Sequence, residues 1–328
     1  MSVVEVVTGA RLHFGLICGR KSSTNRFGGI GLMLRRPRWR ISVSRSNDSS
    51  CTVPTAEVRH RVERILPGLC HHTGLSGLRV AVHDEIPLHH GLGAGTQITL
   101  ALASAAQIAA GHPRPADSMM LATRLNRVRR SAVGAFGFDR GGFIVDDGQA
   151  TSQAERSLHN YEFPDLWRVV LLFPAGQAGL SGAREESVFR EERHMTESTI
   201  QTQTRLIRDM IIPAVQEHEF EVFRDALREY GRNAGNFFKP QQGGVFSSSV
   251  IRRLSEVPDF KDLKPVQSSW GPTVAVFTQS WKHANEVVAR IRRSSFAQDL
   301  QCQVTEPLNC GASVRTVAPD NSDYVVRG

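Results

Sequence analysis

The sequence lacks the features expected of a membrane-spanning or disulfide-stapled protein. Its 328 residues contain no run of about 18 apolar residues, so we expect no helix that spans a membrane. The first residues, MSVVEVV, lack the basic and apolar regions of a signal peptide. Five cysteines are an odd number without C-x-x-C spacing, which argues against a disulfide framework or a zinc site. The sequence therefore predicts a protein of the reducing cytoplasm.

Signatures of nucleic-acid binding are also missing. The net charge is +8, from 40 basic and 32 acidic residues, and such a balance suits an anionic partner. The arginines are dispersed, only 7% of the residues are aromatic, and no helix-turn-helix, RNP or zinc-finger pattern is present. We therefore expect a small anionic substrate rather than nucleic acid.

Common nucleotide-binding loops are absent, but another glycine loop is present. The chain has no Gly-Lys-Ser/Thr, and Thr96 stands where a G-x-G-x-x-G motif needs its last glycine. The loop HGLGAGTQ, residues 90–97, lies between a predicted strand at 78–84 and a predicted helix at 98–110. Glycine lets a ligand approach the main chain, and a helix start offers unpaired N–H groups. This pattern predicts an anion cradle, with a tight ligand-free turn as the alternative.

Two polar residues follow a predicted strand near the start of the chain. Residues 2–7 alternate as in a strand, and Arg11 and His13, two apart, share a face of an extended backbone. Both side chains can donate to phosphate or carboxylate. A surface ion pair and a half-buried histidine are the alternatives. A second glycine cluster at 26–32 predicts a turn that enters a strand.

A third glycine-dense segment spans residues 131–146. It predicts a loop that carries Asp139 and Arg140 and leads into a strand at 142–146. A loop carboxylate between glycines suits a general base or metal ligand, or else a turn residue that caps its own backbone. Residues 143–147 resemble the phosphoribosyl-diphosphate signature of common phosphoribosyltransferases, but the Thr-Gly-Gly-Thr-like loop that should follow is missing. We interpret that match as chance.

The periodicity of the remaining chain predicts an α+β protein. A helix over 58–66 should stop at Pro67-Gly68, and a second helix should run over 117–130. Polar residues at 147–160 suggest a domain boundary, followed by strands at 167–173 and 273–278 and by several helices.

The motifs carry a family resemblance. Pro87-x-x-x-Gly91-Leu92-Gly93 before a helix resembles the phosphate-binding motif of the GHMP kinase superfamily. Five segments, in order, resemble the β-ribofuranosylaminobenzene 5′-phosphate synthase family within it. These segments are ARLHFGL (10–16), FGGIGL (27–32), HGLGAGTQ (90–97), GFDRGGF (137–143) and QSSWGPT (267–273).

The resemblance implies a fold and an activity. The fold is the α+β, two-domain GHMP kinase fold, with a ribosomal protein S5 domain 2-like domain over 1–155 and a ferredoxin-like domain over 156–328. The activity joins phosphoribosyl diphosphate to 4-aminobenzoate or 4-hydroxybenzoate, with release of CO₂ and diphosphate, in methanopterin biosynthesis. It implies Mg²⁺ with the diphosphate substrate, no nucleotide cofactor, small-molecule partners and no membrane partner, and it is compatible with a homodimer.

The site residues follow from the same motifs. Asp139 would stabilise a cationic sugar carbon, while Arg11, His13, Arg26 and Arg140 would clamp the aromatic acid or the phosphates. We expect no metal ligand from the protein. Further contacts to sugar or phosphate are expected from His90, Gly91, Leu92, Gly93, Ala94, Gly95, Thr96, Gln97, Gln267, Ser268 and Ser269.

One departure separates two enzyme hypotheses. GHMP kinases commonly carry serine after Gly-Leu-Gly, where its hydroxyl helps to hold the metal of the nucleotide. Ala94 has no ligand atom, which favours the synthase, although Thr96 offers a hydroxyl nearby. Asp139 lies at about the chain position of the kinases' catalytic aspartate, so an ATP-dependent small-molecule kinase remains an alternative. A non-catalytic RNA-binding protein is the second alternative.

Overall fold

Two antiparallel-rich sheets and the helices on them form the molecule. The computed structural model describes residues 2–21, 24–125, 131–148, 157–177, 179, 194–295 and 297–318. The strands are β1 (Val3–Lys21), β2 (Thr24–Ser46), β3 (Ser50–Thr52), β4 (Gly77–Asp84), β5 (Phe143–Asp146), β6 (Leu158–Tyr161), β7 (Arg168–Pro174), β8 (Val266–Gln267), β9 (Val274–Thr278), β10 (Leu300–Thr305) and β11 (Ser313–Val317). The helices are α1 (Ala56–Thr73), α2 (Ala94–Ala109), α3 (Ser118–Arg124), α4 (Val133–Arg140), α5 (Glu197–Arg205), α6 (Ile212–Gln216), α7 (Phe220–Gln242), α8 (Ser249–Glu256) and α9 (Trp281–Arg292).

The first sheet is built on the long hairpin of β1 and β2. Its strand order is β11-β1-β2-β4-β3, with β5 paired to β2 and β6 to β5. The predicted strand at 2–7 continues to Lys21 and so carries Arg11 and His13. The glycine cluster at 26–32 lies inside β2 and is not the expected turn. The physical reason is close packing, since a Cβ on Gly31 would lie 2.3 Å from the Leu12 oxygen.

Two helices cover this sheet. Helix α2 is rich in alanine, and its small side chains let it pack closely against β1 and β2. The indole Nε1 of Trp39 in β2 donates to the Ala94 oxygen at 3.0 Å, which fixes the start of α2. Helix α1 does not stop at Pro67, as the sequence suggested, but continues to Thr73 and ends at the left-handed Gly74.

The second sheet is buried on both faces. Its order is β10-β7-β9-β8. Val169, Leu171 and Phe173 of β7 face the core shared with the first sheet and α7. Val170 and Leu172 face a separate cluster that includes residues of α8 and α9. Such a continuous apolar strand is typical of a sheet covered on both sides.

The last strand returns to the first sheet. β11 pairs antiparallel with β1, with Val3 opposite Val317. The two sheets therefore do not divide the chain at a single point, and the division into 1–155 and 156–328 remains a prediction. Within the described residues, no helix combines the length and the apolar character that a membrane crossing requires.

Candidate functional site

The glycine loop connects β4 to α2, as the sequence predicted. Gly91 and Gly93 have φ angles of 75° and 70°, in the left-handed region that glycine adopts readily. At Gly91 a close approach also requires glycine, since a Cβ there would lie 2.2 Å from the Ser268 oxygen. The loop is therefore held tightly against the turn that follows β8.

Positive potential gathers at the start of α2. Gly93 precedes the helix and supplies no side-chain cap, and the N–H groups of Thr96 and Gln97 donate to its oxygen. The N–H groups of Ala94 and Gly95 have no partner within the helix, as is general at helix starts. Arg61 from α1 covers this end, since a Cβ on Gly95 would lie 2.6 Å from its Nη1. A helix start with an adjacent guanidinium favours an anion.

Arg11 lies between two helix starts. Its N–H donates to the Leu92 oxygen at 2.9 Å, which ties β1 to the loop. Its Nε lies 3.4 Å from the position that a Cβ would take on Gly93 and equally 3.4 Å from that of Gly134, in the first turn of α4. The guanidinium therefore stands beside the glycine loop, where the sequence predicted a phosphate or carboxylate ligand.

The backbone of His13 joins the loop to the Ser268-Ser269 turn. Its N–H donates to Ser268 Oγ at 3.1 Å, and Ser268 Oγ donates to the Gly91 oxygen at 2.8 Å. The N–H of Ser269 donates to the His13 oxygen at 2.6 Å. The structure thus brings together three of the predicted motifs, namely those at 10–16, 90–97 and 267–273.

The His13 imidazole takes part in a second, buried network. Its Nε2 lies 3.1 Å from Ser131 Oγ, and Ser131 Oγ donates to Asp146 Oδ2 at 3.2 Å. Burial, and then the charge of Arg11, lower the pKa of His13 well below its ordinary value. The imidazole is therefore neutral near pH 7. The motifs predict neither Ser131 nor Asp146 as part of the site, because nothing in their spacing links them to His13.

A cavity borders the loop at Pro87 and His90. It has a volume of about 570 Å³, and its lining includes Pro87, His90, Phe173, Gln301 and Gln303. The rings of His90 and Phe173 meet edge to face at 5.8 Å. Among the described residues, buried His90 Nδ1 has no hydrogen-bond partner. Burial, with His89 as a second cause, lowers the pKa of His90 and so favours the neutral ring.

Two predicted contact residues serve the protein instead. Gln97 is fully buried, accepts from Thr8 Oγ1 at 2.7 Å and donates to the Gly134 oxygen at 2.7 Å. Gln267 accepts from the Ser247 N–H at 2.7 Å and donates to Gln242. Both side-chain amides thus use their donor and acceptor groups within the protein. These hydrogen bonds give no support to the expected contacts of Gln97 and Gln267 with sugar or phosphate.

Asp139 and Arg140 lie on a helix rather than on the expected loop. They end α4, at the opposite end from Gly134, and Asp139 Oδ2 accepts from the Ser118 N–H at 2.9 Å. Partial burial raises the pKa of Asp139, although the Ser118 hydrogen bond acts against this, and both residues occupy exposed positions. The predicted loop was wrong because the glycines of this segment serve packing. A Cβ on Gly137 would lie 2.6 Å from Ile144 Cδ1.

Two further predictions concern Arg26 and metal ligands. Arg26 lies in β2 opposite Gly19, but its side chain is outside the described part of the structure. Among the described residues, no group of three or more His, Cys, Asp or Glu side chains is placed to hold a metal ion.

The comparisons first define the class of protein. Residues 60–140 match the family model described as GHMP kinases N terminal domain. Homoserine kinase from Cytophaga hutchinsonii, 12% identical, superposes with a TM-score of 0.65 over 95% of this chain and 97% of that one. Mevalonate pyrophosphate decarboxylase from Streptococcus pyogenes, 13% identical, gives 0.66 over 94% and 97%. The chain has the α+β, two-domain GHMP kinase fold.

Sequence similarity then shows which proteins the chain resembles within this class. The chain is 26% identical to beta-ribofuranosylphenol 5'-phosphate synthase from Methanothermobacter thermautotrophicus, over 83% of this chain and 88% of the relative. It is 28% identical to the protein of the same name from Archaeoglobus fulgidus, over 95% and 99%. The relative from Methanocaldococcus jannaschii is 25% identical over 83% and 88%. The resemblance to this synthase family that the five motifs indicated is confirmed.

Proposed function

We propose that this protein is a phosphoribosyltransferase that joins phosphoribosyl diphosphate to 4-hydroxybenzoate or 4-aminobenzoate, with release of CO₂ and diphosphate, in methanopterin biosynthesis. The observation that carries the proposal is the position of Arg11 against the glycine loop, in a chain similar over most of its length to three proteins named beta-ribofuranosylphenol 5'-phosphate synthase. The name of these relatives describes a ribosylated phenol, which favours the hydroxy acid as acceptor.

The loop and Arg11 suit the diphosphate of the donor. The open N–H groups of α2, together with Arg11 and Arg61, offer fixed positive charge to a leaving diphosphate. Mg²⁺ bound to the diphosphate would neutralise further charge, and we expect it to arrive with the substrate. Ala94 places no hydroxyl at the helix start, so the site does not depend on a serine ligand.

The cavity beside His90 suits the aromatic acid. Phe173 and Pro87 offer apolar contact to a ring, and His90 Nδ1 offers a hydrogen bond to its hydroxyl or amino group. This placement puts the acceptor directly next to the residues that hold the donor, because His90 precedes Gly91 of the loop.

The reaction balances without a further reagent. A bond forms between the anomeric carbon of the sugar and the ring carbon that carries the carboxylate, while the bond from the sugar to diphosphate breaks. The bond to the carboxyl carbon then breaks, CO₂ leaves, and its electron pair restores the aromatic ring. Arg11 stabilises the charge that develops on the leaving group.

A direct assay tests the proposal. Purified protein with Mg²⁺ and phosphoribosyl diphosphate should release equal amounts of diphosphate and CO₂ when either acid is present, and neither product without an acid. Release of neither product with both acids would overturn the proposal. The GHMP fold includes kinases, so a parallel incubation with ATP and candidate alcohols is needed. ADP formation without phosphoribosyl diphosphate would favour the kinase.

A further inference from the structure

The buried network behind His13 is ordered by the chemistry of its three members. Ser131 Oγ donates its one proton to Asp146 Oδ2 at 3.2 Å, and this carboxylate also accepts from the N–H groups of Ala132 at 2.8 Å and Gly148 at 3.0 Å. Three donors to one buried carboxylate keep it ionised and acceptor-only. The Ser131 hydroxyl is therefore turned away from His13.

This direction decides which His13 nitrogen carries the proton. With its own proton committed to Asp146, Ser131 Oγ presents only lone pairs to His13 Nε2 at 3.1 Å. A neutral imidazole meets such an acceptor with an N–H, so the proton belongs on Nε2 and the lone pair on Nδ1. Gly29 lies against the same edge of the ring, since a Cβ there would be 3.3 Å from Nε2.

We propose that Ser131, oriented by Asp146, is a positioning residue that holds the His13 imidazole in one orientation and in the tautomer with its proton on Nε2. Nδ1 then serves as a hydrogen-bond acceptor for an O–H or N–H of the substrate. That catalytic use of Nδ1 rests on the proposed function, whereas the tautomer itself does not.

The surrounding charges are consistent with this arrangement. Burial is the first cause of the lowered pKa of His13, and the charge of Arg11 on β1 is the second. Both disfavour the cationic imidazole, which carries a proton on each nitrogen. Burial first, and the charge of Asp146 on β5 second, raise the pKa of Tyr230 on α7. The Tyr230 hydroxyl itself donates to the Gly15 oxygen at 3.2 Å and does not compete for Ser131.

The test compares serine variants by nuclear magnetic resonance and by kinetics. In the full chain labelled with ¹⁵N-histidine, His13→Gln identifies the signals of His13, which should show a proton on Nε2 only, at about pH 7. Ser131→Ala should populate both tautomers and lower kcat/KM by about tenfold or more. Ser131→Thr keeps the hydroxyl and should restore both properties. Asp146→Asn frees the serine proton to turn toward Nε2 and should also mix the tautomers.

Ser280→Ala is the matched control. Ser131 Oγ also accepts from the Val133 N–H at the start of α4, and Ser280 Oγ accepts in the same way from the His283 N–H at the start of α9. Each alanine removes one side-chain acceptor at a helix start, but Ser280→Ala should leave the His13 signals and kcat/KM unchanged.

The outcomes separate the two proposals. If the His13 tautomer is the same in wild type, Ser131→Ala and Asp146→Asn, the positioning role is wrong, whatever the activity. If the tautomer shifts as expected but wild-type protein releases no diphosphate with either acid, the proposed function is wrong and the positioning role stands.

Discussion

Gln97 at the start of α2 accepts a hydrogen bond from the Thr8 hydroxyl at 2.7 Å, although the two residues are 89 positions apart in the chain. The same amide donates to the Gly134 oxygen of α4 at 2.7 Å. One fully buried side chain thus sets the distance between the first strand and the two helix starts that flank Arg11.

Removing this amide should destabilise the fold. Gln97→Ala leaves the buried Thr8 hydroxyl without its acceptor and removes the second donor to the Gly134 carbonyl, so we expect the free energy of unfolding to fall by about 2 to 4 kcal/mol. Urea unfolding measures it. The double variant Thr8→Val, Gln97→Leu removes both partners of this hydrogen bond together. Its loss of unfolding free energy should therefore be smaller than the sum of the losses in the single variants Thr8→Val and Gln97→Leu. Strict additivity would contradict a direct Thr8–Gln97 bond.

Arg11 should be essential for turnover. Arg11→Ala removes the guanidinium between the loop and Gly134, and we expect kcat/KM for phosphoribosyl diphosphate to fall by at least about tenfold. Arg11→Lys keeps the charge but loses the planar fork, so it should recover only part of the activity. The assay is diphosphate release. Arg293→Ala, at an exposed position after α9, is the control. Near-normal activity of Arg11→Ala would remove this residue from the mechanism.

His13 should make stability depend on pH. Burial and Arg11 hold its pKa well below the ordinary value of 6.5, so between these two values the unfolded chain binds more protons than the folded one. The stabilising contribution is full above about pH 6.5 and is lost as the pH falls toward the lowered pKa, at up to about 1.4 kcal/mol per pH unit. Unfolding by urea from about pH 5 to pH 8 measures it.

The control for this prediction is the variant His13→Gln. Burial also lowers the pKa of His83 and of His90, but both residues remain in the variant. The difference in unfolding free energy between wild type and variant therefore isolates His13, and it should shrink as the pH falls below about 6.5. A difference that stays constant with pH would show that His13 titrates alike in both states.

His90 should affect the acceptor and not the donor. His90→Phe keeps a ring against Phe173 but removes Nδ1, and loss of one hydrogen bond of about 1 kcal/mol predicts an increase of about fivefold in KM for 4-hydroxybenzoate. KM for phosphoribosyl diphosphate should stay within about twofold of wild type. His112→Ala, at an exposed site after α2, is the control. Equal increases in both KM values would indicate a disturbed loop.

The sequence predicted the parts of the site that depend on local chemistry. The left-handed Gly91 and Gly93, the helix after them, and the shared strand of Arg11 and His13 all follow from short patterns, and the structure has them. Asp139 was misplaced because glycine is a poor helix former, whereas packing against Ile144 and Met33 requires Gly137 inside a helix. Tertiary contact overrode local preference there.

Long-range partners were beyond single-sequence reasoning. Ser131 and Asp146 meet His13 through a hydrogen-bond chain that spans 118 positions from His13 to Ser131. The segment at 143–147 contains Asp146, but a signature match that lacks its following loop gives no sign of a link to His13. A polar side chain likewise gives no sign of which buried donors will reach it, and so the sequence predicts ligand contacts at Gln97 and Gln267.

The pairing of β11 with β1 has a consequence for folding during synthesis. The strand that carries Arg11 and His13 is made first, yet its outer neighbour, Ser313–Val317, emerges some three hundred residues later. On the ribosome, residues 3–7 of β1 therefore stay without this neighbour, and an open strand edge favours pairing with other chains. Translation must pass residue 317 before that edge of the sheet is closed.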